Sequence, residues 1–179
     1  MKIALIAGHD MDSQGAYGNA GVSEFEFNDD LIRELGQMLM LPEKHDYLHL
    51  YRNSDISGYS HQMDNLHKRI DDWGADVSIE FHFNSFRKPE TNGNEVLYCS
   101  MGGKRIADIF DEALDTLPNR DRGVKKVTKK DRGGGFCCKG NSYAIILEPF
   151  FGSHQSSYMY YGVNRMILME AIRDGLEGI

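Results

Sequence analysis

The chain has 179 residues, of which 41% are hydrophobic and 26% are charged. These values are typical of one soluble globular domain, which at this length buries a core without needing a structural metal. The net charge of -7 argues against a nucleic-acid-binding protein, for which a basic surface is expected. The basic run at 125–132 is the exception to this acidic composition, and we interpret it as a solvated loop.

The cysteines and the N-terminal residues indicate the cellular compartment in which the chain folds. Three cysteines with one adjacent pair, Cys99, Cys137 and Cys138, do not form a disulfide framework, and such a set suits a reducing compartment. We therefore expect structural or incidental roles for Cys137 and Cys138. The apolar run 3–7 is too short for a signal peptide or a membrane span. We expect a chain that is made in the cytoplasm with no export signal of its own and no membrane insertion.

Hydrophobic spacing predicts strands that alternate with helices along the chain. The apolar run 3–7 predicts a buried strand, and Ser23 with Glu26 has the spacing of a capping box that opens a helix over 24–40. Further strands are predicted at 46–51, 77–83, 96–99 and 143–147, and further helices at 59–73, 103–116 and 157–176. The polar, glycine-rich segment 118–142 is predicted to be loop with a strand piece near 124–128. The pattern indicates an α/β fold with a largely parallel sheet, in one domain over 1–179.

Four ionisable residues follow predicted strands or open the first helix. Ligand sites of open α/β sheets lie beyond the carboxyl ends of the strands, where His9, His82 and Glu148 fall. The loop that leaves the first strand brings Glu24 back over the same edge. Two imidazoles and a carboxylate suit zinc with one open position for water. A further carboxylate at Glu148 would move the proton. The spacing matches no short-range metal motif.

These residues lie in blocks that resemble the zinc-dependent N-acetylmuramoyl-L-alanine amidases, the family shared by bacterial cell-wall amidases and phage endolysins. The blocks follow in the order of the family across about residues 1–175. They are the first strand with Gly8-His9, Gly15-Ala16, Glu24 with Asn28, Arg52, Ala75-Asp76, His82-Phe83-Asn84-Ser85, Gly93-Asn94-Glu95-Val96 and Ile145-Ile146-Leu147-Glu148 before Pro149-Phe150-Phe151.

The resemblance implies that His9, Glu24 and His82 bind Zn2+ and that Glu148 is the catalytic acid/base. It also implies a twisted, mostly parallel sheet flanked by helices on both faces. The implied reaction is hydrolysis of the amide bond between N-acetylmuramic acid and L-alanine in peptidoglycan. A phage endolysin or another cell-wall hydrolase would act on the wall after release from the cytoplasm.

Several assignments stay open from the sequence. Glu26 is a rival for Glu24, and Glu148 has an alternative reading as a structural carboxylate paired with an arginine. Glu80 either orients an imidazole or is a half-exposed strand residue. Asn84 either positions substrate or caps the strand end. His154 is a candidate substrate contact.

The sequence also leaves open two alternative functions and the details of substrate binding. The segment 131–142 matches the family poorly, and in this family it lies near the substrate. One rival function is a zinc amidohydrolase that acts on small N-acyl amino acids, for which we expect a deep closed pocket. The other is a non-catalytic wall-binding module. The sequence leaves the oligomeric state open.

Overall fold

Six strands form one sheet in the computed structural model, which describes residues 1–18, 20–38, 40–88 and 90–179. The strands span Lys2–Ala7 (β1), Asp46–Tyr51 (β2), Val77–Phe81 (β3), Asn94–Tyr98 (β4), Asp121–Lys126 (β5) and Tyr143–Glu148 (β6). Their order across the sheet is β2-β1-β3-β6-β4-β5. The pairs are parallel except for β4 against β6, so the sheet is mostly parallel as predicted.

Helices cover both faces of the sheet. They span Glu24–Gln37 (α1), Tyr59–Trp73 (α2), Met101–Leu114 (α3), Gly134–Cys137 (α4), Gln155–Val163 (α5) and Arg165–Glu177 (α6). Alternate residues of β1 face opposite sides, as the pleat of a strand requires. Leu5 packs in the core cluster that contains α1, α3 and α6 residues, while Ile6 packs in the cluster that contains α2 and α4 residues. The α/β fold is therefore confirmed.

The predicted elements are present, with bounds offset by at most three residues; β4, for example, spans Asn94–Tyr98 rather than 96–99, and α3 spans Met101–Leu114 rather than 103–116. The capping box at Ser23 and Glu26 is present, but α1 ends at Gln37 rather than at 40, and Leu39 lies outside the described residues. The single helix predicted over 157–176 is two helices joined at Asn164, whose backbone is not helical. The segment predicted as loop contains the short helix α4. No described helix is long and apolar enough to cross a membrane.

The expectation that the three cysteines do not form a disulfide framework is wrong for one pair, in which Cys138 has a structural role. Cys99 and Cys138, which are 39 positions apart in sequence, form a disulfide with their Cα atoms 5.2 Å apart. Cys99 follows β4 and Cys138 ends α4, and only the fold brings these two points together. Cys137 is a buried free thiol whose pKa is raised by burial. The bond therefore fastens the segment that carries α4 to the sheet.

We predict that the substitution Cys99→Ser lowers the free energy of unfolding by about 2–4 kcal/mol, because the crosslink no longer restricts the unfolded chain. Urea unfolding followed by Trp73 fluorescence measures the loss. Reductant should lower the stability of the unsubstituted protein by a similar amount and leave the Cys99→Ser variant unchanged. Three titratable thiols in the unfolded, unreduced protein would contradict the bond.

Candidate metal centre

Three side chains meet at the edge of the sheet where β1 and β3 end. His9 follows β1, His82 follows β3, and Glu24 is the first residue of α1. The His9 Nε2 atom lies 3.2 Å from Glu24 Oε2, and His82 Nδ1 lies 2.6 Å from Glu24 Oε1. One potential ligand atom from each residue falls within 4.8 Å of the other two. The structure thus brings together the three residues that the sequence predicted as metal ligands, and it favours Glu24 over Glu26, which serves the capping box.

Two glycines leave the space in which these side chains converge. A Cβ atom on Gly8 would lie 2.4 Å from the His82 ring. A Cβ atom on Gly15 would lie 2.6 Å from the His9 ring and 2.8 Å from a Glu24 carboxylate oxygen. His9 itself has a positive φ of 72°, which is uncommon for a residue with a side chain. Such backbone strain is found at sites where the surrounding structure holds a functional side chain in place.

The charges of this cluster compensate one another. Burial opposes the charged form of Glu24, but hydrogen bonds from His82 and His9 hold the pKa of this carboxyl well below its usual range. Burial also opposes a charged His82, yet the carboxylates of Glu80 and Glu24 raise the pKa of His82 to about 10. A buried carboxylate that faces two imidazoles is a donor set that also suits a divalent cation, which would take the place of the imidazole protons.

Glu80 lies beside the nitrogen of His82 that faces away from Glu24. Its Oε2 atom is 3.3 Å from His82 Nε2, and its side chain is buried. The alternative of a half-exposed strand residue is therefore excluded. A carboxylate at the second nitrogen fixes the tautomer and the ring orientation of a metal-binding histidine. Glu80 is thus placed to orient His82.

Glu148 ends β6 and is held by two partners. Arg132 Nη2 donates a hydrogen bond to Glu148 Oε1 at 2.8 Å, and Asn84 Nδ2 donates one to Glu148 Oε2 at 2.5 Å. The guanidinium also donates to Asn84 Oδ1 at 3.1 Å, so the three side chains form a closed set. Glu148 is 1% exposed, and burial raises its pKa to about 7 against the opposing charges of Arg132 and His82. A carboxyl group with this pKa both accepts and donates protons near neutral pH.

A second buried carboxylate lies across the strand pair. Glu95 is opposite Glu148 in the antiparallel register of β4 and β6, and Asn84 Nδ2 also donates to Glu95 Oε1 at 2.9 Å. Arg122 Nε lies 2.6 Å from Glu95 Oε2, and Lys125 contacts the same oxygen. Burial opposes the charged form of Glu95, but the hydrogen bonds from Lys125 and Arg122 lower its pKa. Asn84 therefore bridges the two carboxylates.

A cavity of about 340 Å³ exposes the cluster to solvent. Its lining includes the three potential ligands and Glu148 together with Arg52, Tyr59 and Arg132. Among the residues that the structure describes, neither Asn84 nor His154 lines this cavity. Asn84 is 5% exposed. The ring of His154 caps α5 by accepting a hydrogen bond from the backbone N–H of Ser157. Substrate contacts by Asn84 and His154 stay predictions, while the structure gives each of them a hydrogen-bonding role.

Sequence reasoning missed two residues of this site. Arg132 lies in the segment 131–142, which has no family pattern to place it, although the alternative of Glu148 paired with an arginine anticipates the contact. Glu95 was noted only as part of a motif. Glu95 is the single acidic residue in the short buried strand β4. This pattern could have identified it, since a buried carboxylate requires partners.

Comparisons with known proteins agree with this geometry. A family model described as N-acetylmuramoyl-L-alanine amidase matches residues 3–178. No curated protein sequence matches significantly.

Solved structures share the fold over nearly the whole chain. The catalytic domain of the CD27L endolysin that targets Clostridia difficile has a TM-score of 0.83 at 23% identity, covering 99% of this chain and 97% of that one. The catalytic domain of CwlV, an N-acetylmuramoyl-L-alanine amidase from Bacillus (Paenibacillus) polymyxa var. colistinus, has a TM-score of 0.78 at 22% identity, with coverage of 98% and 96%. An amidase from Neisseria meningitidis, described as putative, has a TM-score of 0.73 at 22% identity, with coverage of 98% and 93%.

We predict that Arg132→Gln raises the pKa of Glu148 above its value of about 7, because the cation that favours the carboxylate is removed. A 13C NMR titration of the glutamate side chains in metal-free protein measures this, with the Glu148 signal assigned from a Glu148→Gln variant. Lys130→Gln is the matched control, since it removes the same charge from an exposed neighbouring position. An unchanged Glu148 titration in Arg132→Gln would refute the ion pair.

Proposed function

The chain belongs to the N-acetylmuramoyl-L-alanine amidase family, and we propose that it is a zinc-dependent member that cleaves the amide bond between N-acetylmuramic acid and L-alanine in peptidoglycan. The observation that carries the proposal is the convergence of His9, Glu24 and His82 within 4.8 Å, in a cavity that Glu148 also lines. Two imidazoles and one carboxylate form the protein ligand set of many catalytic zinc sites.

The residues present fit a zinc ion. Gly15 lacks the Cβ atom that would fill the space between His9 and Glu24, and Glu80 supports His82 from its other nitrogen. When bound, zinc supplies a Lewis acid that acidifies a water molecule and polarises the scissile carbonyl. Glu24 keeps its carboxylate ionised in this buried position, which favours retention of a cation.

Glu148 moves the proton in the proposed reaction. Its carboxylate takes a proton from the attacking water and delivers it to the nitrogen of L-alanine as the amide bond breaks. Arg132 and Asn84 each bind one oxygen of this carboxylate and so limit its rotation. The buried setting keeps the pKa of Glu148 near neutral, which suits a group that must first accept and then donate.

The biological role that we propose is that of an endolysin or a cell-wall hydrolase, made in the cytoplasm and acting on the wall after release. The likeness to the catalytic domain of the CD27L endolysin supports this role. The Cys99–Cys138 disulfide supports action outside the cytoplasm, since such bonds persist in oxidising compartments. Lysis of cells by protein added from outside, and absence of lysis while the protein is retained in the cytoplasm, would test it.

We predict that Glu148→Gln lowers amide hydrolysis at least about 100-fold and leaves the zinc content at one ion per chain, because it removes proton transfer and no ligand. His82→Ala should lower both hydrolysis and zinc content. The measurements are elemental analysis of the purified protein and release of new L-alanine amino termini from purified peptidoglycan. Zinc without release by the unsubstituted protein would favour another amidohydrolase substrate. Absence of zinc in protein never exposed to chelator would overturn the metal site.

We predict that Glu80→Gln weakens zinc binding by about 10–100-fold, because the neutral amide no longer holds the imidazole of His82 in its orientation. Competition against a chromophoric chelator measures the affinity directly. Glu112→Gln, at an exposed position of α3, is the matched control and should leave the affinity unchanged. Equal affinities in the two variants would mean that Glu80 has no orienting role.

A further inference from the structure

A second cavity adjoins the one over the candidate metal centre. It has a volume of about 250 Å³, and its lining includes Tyr59 and Met63, which also line the first cavity. The opposite wall is formed by the segment 129–139, which contributes Lys129, Gly134 and Lys139 among others. The two cavities thus form one groove, with Tyr59 and Met63 at the junction.

The wall of the second cavity is built to stay close to α2. A Cβ atom on Gly134 would lie 1.9 Å from the carbonyl oxygen of Thr128, and one on Gly135 would lie 2.8 Å from the Tyr59 hydroxyl. Cys138, which also lines the cavity, is bonded to Cys99 next to β4. The wall is therefore anchored to the sheet at one end and packed against Tyr59 in the middle.

The charge of this wall is opposite to that of the whole chain. The wall segment 129–139 contains four basic residues and one acidic residue, in a protein of net charge -7. Lys139 pairs with Asp64 of α2. Lys129 is exposed and forms no ion pair among the described residues. The second cavity therefore offers one uncompensated cation to a ligand.

If the proposed function holds, the position of Glu148 bears on how the substrate is oriented in the groove. A carboxyl group that protonates a leaving nitrogen must face the leaving part of the substrate. Glu148 is bound by Arg132, and Arg132 belongs to the same segment that forms the wall of the second cavity. On this basis we assign the side toward Lys129 to the leaving peptide and the side of Gly15 and Ala16 to the muramic acid.

We propose that the second cavity is the subsite for the peptide stem and that Lys129 binds a free carboxylate of that stem. This inference rests on the proposed function and adds a preference for acidic over amidated stems. Lys129 is three residues from Arg132, so binding of the stem and the setting of Glu148 depend on the same anchored segment. An ammonium group at the end of a flexible side chain suits a carboxylate whose position varies between stems.

The test measures binding separately from turnover. The zinc-loaded Glu148→Gln protein is titrated with N-acetylmuramoyl-L-alanyl-D-glutamate whose γ-carboxyl is amidated, and with the same compound amidated at both glutamate carboxyl groups. We expect the acid to bind about five-fold more tightly than the amide, as for an exposed charge pair. Lys129→Gln should abolish this ratio without changing the affinity for the amide. Lys130→Gln, which removes the same charge next to the cavity lining, should retain the ratio.

Turnover by the protein with Glu148 intact then separates the two hypotheses. The preference for the acid should appear in KM, with kcat equal for the two compounds, because Lys129 does not touch the reacting atoms. The subsite would be overturned if Lys129→Gln kept the ratio of the affinities for the acid and the amide. It would also be overturned if Lys130→Gln lowered this ratio as much as Lys129→Gln did. Hydrolysis of neither compound together with an intact binding ratio would overturn the amidase proposal and leave the carboxylate subsite supported.

Discussion

The contact on which this structure depends is the buried carboxylate of Glu24 between two imidazoles. A charged group that is 3% exposed requires partners, because burial without them costs several kcal/mol. His9 and His82 supply them from the ends of two adjacent strands, and the backbone N–H of Ala16 donates a further hydrogen bond. Removal of either imidazole would weaken the compensation of this buried charge, so the edge of the sheet is organised around this side chain.

The reversed direction of β4 has a comparable effect on the other half of the site. Because β4 runs antiparallel to β6, its first residues lie at the edge where β6 ends, and Glu95 comes opposite Glu148. Two carboxylates on facing positions of paired strands repel each other unless cations or protons intervene. Arg122 and Lys125 compensate Glu95, and Arg132 compensates Glu148. The site therefore needs the basic residues of β5 and of the segment that follows it.

Local signals in the sequence predicted much of the fold and the ligand set. The apolar run before His9, the capping box at Ser23 and the strand ending near His82 each depend on a few neighbouring residues, and all are present. The strand direction of β4, the Cys99–Cys138 bond and the contact of Arg132 depend on residues far apart in sequence. Spacing carries no signal for such contacts.

Different parts of the fold hold the potential ligands and the segment 131–142, which matches the family pattern poorly. The potential ligands are held by β1 and β3, which are interior strands of the sheet, and by α1, which packs in the larger core cluster. The segment that carries Lys129 and Arg132 lies outside that core and is fastened by a disulfide and by glycine contacts. Arg132 in this segment is bound to the buried carboxylate of Glu148. Lys129, three residues earlier, is exposed and has no ion-pair partner among the described residues. One anchored segment thus sets the pKa of Glu148 and also presents a cation to the second cavity.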